Sequence, residues 1–397
     1  MDMAELTALL TTEGLRLTDE IGPLTSTSDV AAVVSRLRAA GHSADLVSAA
    51  VGQARLRTRA AAKFGPFADR MLFTRAGLEQ ATRLEVAAHH ASRFRAAGLT
   101  RVADLGCGIG GDALALAGVG LEVQAVDADE VTAALAAYNL APFGARVTHG
   151  RAEDADLSEV DGVWLDPARR TAGHSETSRT SPDDWSPSLE WAFALAERMP
   201  VGMKLGPGLD RSLLPADVEA QWVSVDGSTV ELVLWSGVLA RPGIRRAALV
   251  LRDGSAHELT AAADAEDVPV RELGAFLHEP EGAVIRARLI GDAARTLEAG
   301  MVADSIAYLT GDAPVTSPFV RSFRIRETLP LKVPAINAAL RTRGIGTLEI
   351  KKRGVDIDPA QFRRSLTLRG DAAATLILTR LGTGPKARRV ALLADRV

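Results

Sequence analysis

The sequence predicts an α/β protein: a doubly wound parallel sheet ending in an antiparallel strand pair, with a helical region before it and a smaller basic α+β region after it. Three observations carry this expectation. From Arg101 to Arg198 short apolar runs alternate with helical stretches, the pattern of parallel strands joined by crossover helices. A glycine-rich turn, Asp104-Leu105-Gly106-Cys107-Gly108-Ile109-Gly110-Gly111-Asp112, follows the first of those runs. The last two strand-like runs, Ala220–Val225 and Glu231–Trp235, are joined at Asp226-Gly227-Ser228, a link too short for a parallel crossover.

Residues 1–75 carry apolar residues at spacings of three and four over Ala4–Leu10, Val30–Ala40 and Ala44–Lys63, which predicts helices. Turn material such as Thr25-Ser26-Thr27-Ser28 separates them, and Phe64-Gly65-Pro66 ends the third. A further helix over about Leu78–Ala97 leads into the first strand, Arg101–Leu105. Strands follow at Val123–Val126, Arg146–His149, Gly162–Leu165 and Val201–Leu205, with helices at Ala113–Ala117, Glu130–Leu140 and Leu189–Arg198 between them. Beyond Gly237, Arg245–Leu251 and Ser255–Leu259 flank Asp253-Gly254, a hairpin signal. The C-terminal region reads as strands at Arg321–Glu327, Thr347–Lys352, Ala373–Arg380 and Val390–Leu393, with helices at Val333–Arg343 and Pro359–Leu366.

Ligands of doubly wound sheets sit at the carboxyl ends of the strands, so residues just past strands are the candidates. Gly106, Gly108 and Gly111 satisfy GxGxxG and alone are compatible with a dinucleotide site. Asp104 stands two residues ahead of the first glycine. A carboxylate there repels a pyrophosphate and favours a ligand with a cationic amino group. Asp127 ends the second strand, suited to ribose hydroxyls or to a helix N-cap. After the third strand, Glu153 or Asp154 is suited to a base amino group or to a solvated loop. The fourth strand delivers Asp166-Pro167-Ala168-Arg169-Arg170, an acid and exposed carbonyls on a proline-stiffened turn. Lys204 follows the same logic after the fifth strand, either facing the site or capping a loop. His174 is suited to a base or to a polar loop.

Asp104-x-Gly106-x-Gly108-x-Gly110 resembles motif I of the class I S-adenosylmethionine (SAM) methyltransferases. Asp166-Pro167-Ala168-Arg169-Arg170 resembles motif IV of amino-group and nucleobase methyltransferases. Arginines stand where the familiar form has an aromatic, as in the Asp-Pro-Pro-Arg variant of tRNA guanine methyltransferases. With Phe73-Thr74-Arg75-Ala76-Gly77-Leu78-Glu79-Gln80-Ala81-Thr82, Met203-Lys204-Leu205-Gly206-Pro207-Gly208, Tyr308-Leu309-Thr310 and Lys351-Lys352-Arg353-Gly354, the chain resembles bacterial class I SAM-dependent methyltransferases with a C-terminal THUMP-like domain. The resemblance implies a Rossmann-like class I methyltransferase sheet and SAM as cofactor. Asp104, Gly106, Gly108 and Gly110 would shape the SAM site, with Asp127 on the ribose and Glu153 near the adenine. Asp166, Pro167, Ala168 and Arg169 would form the catalytic loop that holds an acceptor nitrogen. Arg169, Arg170, Lys351, Lys352 and Arg353 would bind an anionic substrate. THUMP domains proper help position tRNA, so the implied acceptor is RNA, tRNA or rRNA.

The expected organisation is a helical region at 1–75, a methyltransferase domain at 76–240, a connecting α+β segment at 241–318 and a basic THUMP-like domain at 319–397. Charge supports the last division. Residues 316–397 carry 17 Lys and Arg against 6 Asp and Glu, a net of +11, whereas the other 315 residues carry a net of −15. A basic region on an acidic body suits a polyanion; a solvated basic face is the plainer reading. One cysteine excludes an intramolecular disulfide framework and a Cys-based zinc cluster, and His89-His90 have no metal-ligand spacing, so no metal is expected. The N-terminus lacks signal-peptide features and no apolar run is of membrane-spanning length, so the chain reads as cytoplasmic, with no membrane partner. Two other readings are a non-catalytic RNA-binding protein that retains a SAM-type pocket, and a NAD-dependent oxidoreductase.

Overall fold

The computed structural model describes residues 1, 3–169 and 185–397. The chain forms two compact units, one of Met1–Val218 with Leu234–Ala240, the other of Glu219–Val233 with Arg241–Val397.

The first unit begins with four helices, α1 (Met3–Leu9), α2 (Thr12–Ile21), α3 (Thr27–Ala39) and α4 (Ala44–Phe64). Ser26 and Asp29 form a reciprocal capping box at the start of α3, and Ser43 caps α4, so the turn residues seen in the sequence supply the donors' missing acceptors. Leu17, Ile21, Leu37, Val47 and Val51 form the core shared by α2, α3 and α4, while Leu6 and Leu9 of α1 pack with Ala49, Leu72 and Leu135. The polar residues of α4 have a second task. The Gln53 side-chain amide bonds both the N–H and the C=O of Phe73, at 2.9 and 2.7 Å, and Arg57 Nε donates to the Met71 carbonyl at 2.9 Å. Lys63 Nζ donates to the carbonyls of Leu78, Glu79 and Ala81 at 2.7–2.8 Å. The expected single helix over Leu78–Ala97 is therefore two, α5 (Arg75–Gln80) and α6 (Leu84–Ala96). Lys63 satisfies the carbonyls that α5 leaves open at its end, and Thr82 falls in the break.

Next come β1 (Arg101–Leu105), α7 (Gly111–Gly118), β2 (Glu122–Asp127), α8 (Glu130–Leu140), β3 (Arg146–His149), β4 (Gly162–Leu165), β5 (Ala168–Arg169), β6 (Trp185–Ser186), α9 (Leu189–Ala196) and β7 (Val201–Leu205). The sheet order is β7-β4-β1-β2-β3, all parallel. The order reverses between β1 and β4, which opens a crevice at their carboxyl ends. The end of β9 (Ser228–Trp235) lies beside β7, with the Ser236 N–H on the Val201 carbonyl at 3.0 Å.

In the second unit β8 (Glu219–Val225) and β9 are neighbours joined by Asp226 and Gly227, with φ of 49° and 86°. Two consecutive positive φ values make the mirror-image turn that closes hairpins, so the expected antiparallel pair is present. The same dipeptide turns β10 (Arg246–Arg252) into β11 (Ser255–Ala261). Strand β10 also lies parallel to β8, a pairing the sequence did not suggest. A second sheet has the order β13 (Gly300–Met301), β14 (Leu309–Gly311), β12 (Phe276–Pro280), β15 (Val320–Pro330), β18 (Arg388–Arg396), β17 (Ala372–Leu381), β16 (Ile345–Lys352). Helices α11 (Ile290–Thr296), α12 (Val333–Thr342) and α13 (Pro359–Arg364) accompany it, while α10 (Gly282–Arg286) packs on β8 and β10. Ile336, Leu340 and Phe362 pack with Leu376, Leu378 and Leu393 on one face; Tyr308, Phe323, Ile377 and Leu392 form the core on the other.

Candidate active site

The first unit holds a cavity of about 530 Å³ at the carboxyl ends of β1, β2 and β4. Gly106, Gly108, Asp127, Glu153, Asp166, Pro167, Ala168 and Lys204 are on its wall. Gly106 has φ +82°, and a Cβ there would stand 2.7 Å from the backbone oxygen of Asp166. The glycine loop and the Asp-Pro loop therefore touch, main chain to main chain. Gly110, with φ +88°, is the left-handed residue before α7 and packs on Leu140; it is not on the wall.

Asp127 accepts from the Gly108 N–H at 2.8 Å and the Asp129 N–H at 2.9 Å, one on each oxygen. Burial raises its pKa, against the pull of those two N–H groups. The helix cap is Asp129, which accepts from Thr132 N–H, so Asp127 is not used up as a cap. Glu153 lies in the short turn after β3 and pairs with Arg151 at 2.8 Å, whereas Asp154 is exposed and off the wall. Asp104 is 1 % exposed, behind the glycine loop, and neither carboxylate oxygen has a hydrogen-bond partner. Burial raises its pKa well above the usual range; Asp112, Asp166 and Asp127 add to this and Lys204 opposes it.

Asp166 pairs with Lys204, Oδ2 to Nζ, at 2.5 Å. The Lys204 ammonium also donates to Thr82 Oγ1 at 3.1 Å. Thr82 donates in turn to Asp112 at 2.7 Å, and the other oxygen of Asp112 lies 2.9 Å from His90 Nδ1. Burial would raise the Asp112 pKa, but the His90 contact, with help from Lys204 and Thr82, leaves it below the usual value. Lys204 thus faces the site. Thr82, His90 and Asp112 were given no role in it by the sequence, although Thr82 closes the Phe73–Thr82 segment of the family resemblance and Asp112 closes the glycine-rich turn.

Strand β5 pairs with β6, Ala168 opposite Ser186 and Arg169 opposite Trp185. Arg170 and His174 lie outside the described residues. In the second unit Lys351 pairs with Glu279 at 2.8 Å and lies over the Phe323 ring, and Arg353 lies 4.0 Å from Glu279 and over Tyr308. Of the three basic residues Lys352 is the exposed one.

A five-strand parallel core, a glycine loop after β1, a tethered carboxylate after β2 and an Asp-Pro loop after β4 define a nucleoside-binding doubly wound domain. Two relatives, from Mycobacterium tuberculosis strains CDC 1551 / Oshkosh and ATCC 25618 / H37Rv, are both described as uncharacterized S-adenosylmethionine-dependent methyltransferases. Each is 34% identical over 338 residues, covering 83% of this chain and 91% of the relative. The chain belongs to the S-adenosylmethionine-dependent methyltransferases, and SAM is its cofactor. Residues 320–396 match the family described as THUMP domain-like, and residues 2–60 match a domain of unknown function, DUF8688. A crystal structure of a candidate methyltransferase from Porphyromonas gingivalis W83 has the same fold, with a TM-score of 0.70 over 94% of this chain and 100% of that one, at 19% identity. Among the described residues, no helix is long and apolar enough to cross a membrane.

Proposed function

We propose that this enzyme methylates a nitrogen of an RNA base, with Asp166 and the Pro167-Ala168 backbone holding the acceptor. The observation that carries the reading is the seat of Asp166: the residue is on the cavity wall, with its main chain against the glycine loop. The wall fits SAM. Asp127, oriented by two N–H groups, keeps lone pairs for the ribose hydroxyls. Glu153 is available to the adenine. The unpartnered oxygens of Asp104 favour a cationic amino group nearby. Bound SAM supplies an activated methyl on a sulfonium, so the protein's part is chiefly alignment of the acceptor. Asp166 accepts a hydrogen bond from the acceptor amino group and directs its lone pair at the methyl.

RNA is supported by the THUMP-like match and by where the second sheet gathers its charge. Pro330 pairs with Val390, Lys352 with Leu378, Arg380 with Arg389 and Leu381 with Arg388. This register brings Lys332, Lys352, Arg380, Arg388 and Arg389 to one end of the sheet, all but Arg380 exposed. Arg169, Arg170, Lys351 and Arg353 belong to the proposed anionic-substrate set, the last two facing Glu279.

The test is transfer of labelled methyl from SAM to total RNA of a strain lacking the gene, with nucleoside mass spectrometry of the product. Wild type should label one base nitrogen and Asp166→Asn should not. No label in RNA above the enzyme-free control would sink the reading. Reversing Lys352, Arg388 and Arg389 to Glu should lower the salt slope of RNA binding by about 2–3, at roughly 0.7–0.9 per phosphate contact.

A further inference from the structure

Lys204 and Asp166 meet because of strand register. Strands β4 and β7 pair Val163 with Val201, Trp164 with Gly202 and Leu165 with Met203, and one step further sets Asp166 beside Lys204. A strand returns to the same face every second residue, so Trp164 and Asp166 share a face with Gly202 and Lys204. Gly202 is needed there: a Cβ would come within 2.6 Å of the Trp235 ring and 2.9 Å of the Trp164 ring. On the same face His90 stacks on Trp164, ring centroids 4.3 Å apart. The chain Asp166–Lys204–Thr82–Asp112–His90 therefore runs from the cavity wall into a buried aromatic layer.

We propose that Lys204 is the positioning residue of the acceptor loop: it holds Asp166 ionised and turned toward the acceptor nitrogen, with Thr82, Asp112 and His90 fixing the ammonium from behind. This rests on the reading of Asp166 given above. The groups around the pair are unevenly charged. Asp104 from β1 feels Asp166, Lys204, Asp112 from α7 and Asp127 from β2; Asp112 feels Lys204 and His90 from α6; and Lys63 from α4 is a further cation whose field meets that of Lys204. Without Lys204, Asp166 loses a contacting cation while the field of Asp104 stays, which favours proton uptake. A protonated Asp166 presents a donor where the acceptor amino group needs an acceptor.

The experiment is a pH titration of the full-length protein carrying ¹³C-carboxyl aspartate, followed by NMR. The Asp166 signal is assigned by its loss in Asp166→Asn. Its midpoint should rise by about one unit or more in Lys204→Met, rise less in Thr82→Val, and stay near wild type in Lys204→Arg. In parallel, SAM affinity by calorimetry should stay within about threefold, while transfer to RNA measured on its acid limb, below the carboxyl midpoint, falls about tenfold in Lys204→Met for each unit by which the midpoint rises. The acid limb of transfer should move with the carboxyl midpoint. An unchanged midpoint in Lys204→Met overturns the proposal, and if that variant does not fold, an unchanged midpoint in Thr82→Val does so. The titration needs no acceptor, so a shifted midpoint alongside a wild type that leaves RNA unlabelled would refute the RNA reading and leave the Lys204–Asp166 coupling standing.

Discussion

The contact between the glycine loop and the Asp-Pro loop can be measured by comparing two alanine substitutions. Gly108 has φ +56° and a Cβ there meets nothing within 4 Å, so Gly108→Ala carries only the left-handed backbone penalty of about 1–2 kcal/mol. Gly106 has φ +82° and carries the same penalty, but its Cβ would also stand 2.7 Å from the Asp166 carbonyl oxygen. That oxygen is main chain and cannot swing aside. The Asp166 N–H is tied to the Leu105 carbonyl at 3.1 Å, so the two loops must move apart together. Overpacking of this kind adds about 1–3 kcal/mol, for a total of roughly 2–5 kcal/mol. In a domain of this size about 1 kcal/mol moves the melting temperature by roughly 2–4 °C. Gly108→Ala should therefore lose about 2–8 °C and Gly106→Ala about 4–20 °C, read by calorimetry or circular dichroism. Function should separate in the opposite sense: an alanine at 108 projects into the cavity and weakens SAM binding while the fold holds. If Gly106→Ala melts no lower than Gly108→Ala, the close approach to Asp166 is not what requires glycine at 106.

Asp127→Asn removes one acceptor oxygen from a group serving two N–H donors and two proposed ribose hydroxyls; at about 1.5–3 kcal/mol for a hydrogen bond to a charged group, calorimetry should find SAM bound roughly 10–150-fold more weakly. Because burial raises the Asp127 pKa, wild-type affinity should begin to fall on acidification at a pH above the ordinary aspartate range. Asp104 has a folded-state pKa raised above its unfolded value, so its charge costs stability above the folded pKa. Asp104→Asn should accordingly raise the melting temperature at neutral pH, with the gain shrinking as pH falls below the folded pKa and gone near pH 4. Lys63→Met leaves the carbonyls of Leu78, Glu79 and Ala81 without their shared donor, which should cost about 1–3 kcal/mol and speed amide exchange over residues 75–82.

Local signals made much of this molecule legible. Both Asp-Gly turns sit where the sequence put them because two consecutive positive φ values are a local demand that few residue pairs meet. The strands that deliver Asp104, Asp127 and Asp166 are short apolar runs bounded by glycine and acid. What could not be read depends on register and on contacts distant in sequence. Lys204 and Asp166 are 38 residues apart and meet only through the β4–β7 alignment. Asn139 reaches back 67 residues to bond the Leu72 N–H at 2.7 Å, and its amide also holds the Ile109 carbonyl at 2.9 Å, so α8 fastens the segment ahead of α5 to the glycine loop. Lys351, Lys352 and Arg353 were grouped as one basic set, because nothing local shows that Lys351 and Arg353 face Glu279 while Lys352 is exposed. The helix break at Thr82 was hidden because its cause, Lys63, lies on another helix.

The charge distribution around the cavity also explains which of two cofactors the glycine pattern serves. GxGxxG alone allows a dinucleotide, and an acid after β2 suits the ribose of either ligand. The remaining acids do not serve both. Asp104, Asp112 and Asp166 share one region with Asp127 near enough to act on Asp104, and the nearby cations include Lys204, Lys63 further off and, when protonated, His90. Concentrating carboxylates in a buried region works against folding, as the unpartnered Asp104, behind the cavity wall, makes plain. The arrangement becomes favourable when the ligand brings positive charge. SAM carries a sulfonium and an α-ammonium against one carboxylate, so it relieves the repulsion among these acids. A nicotinamide dinucleotide would add two phosphate charges to the same field. The acid two residues ahead of the first glycine is the sequence's share of that discrimination, and the fold supplies the rest by bringing α7 and β4 against it.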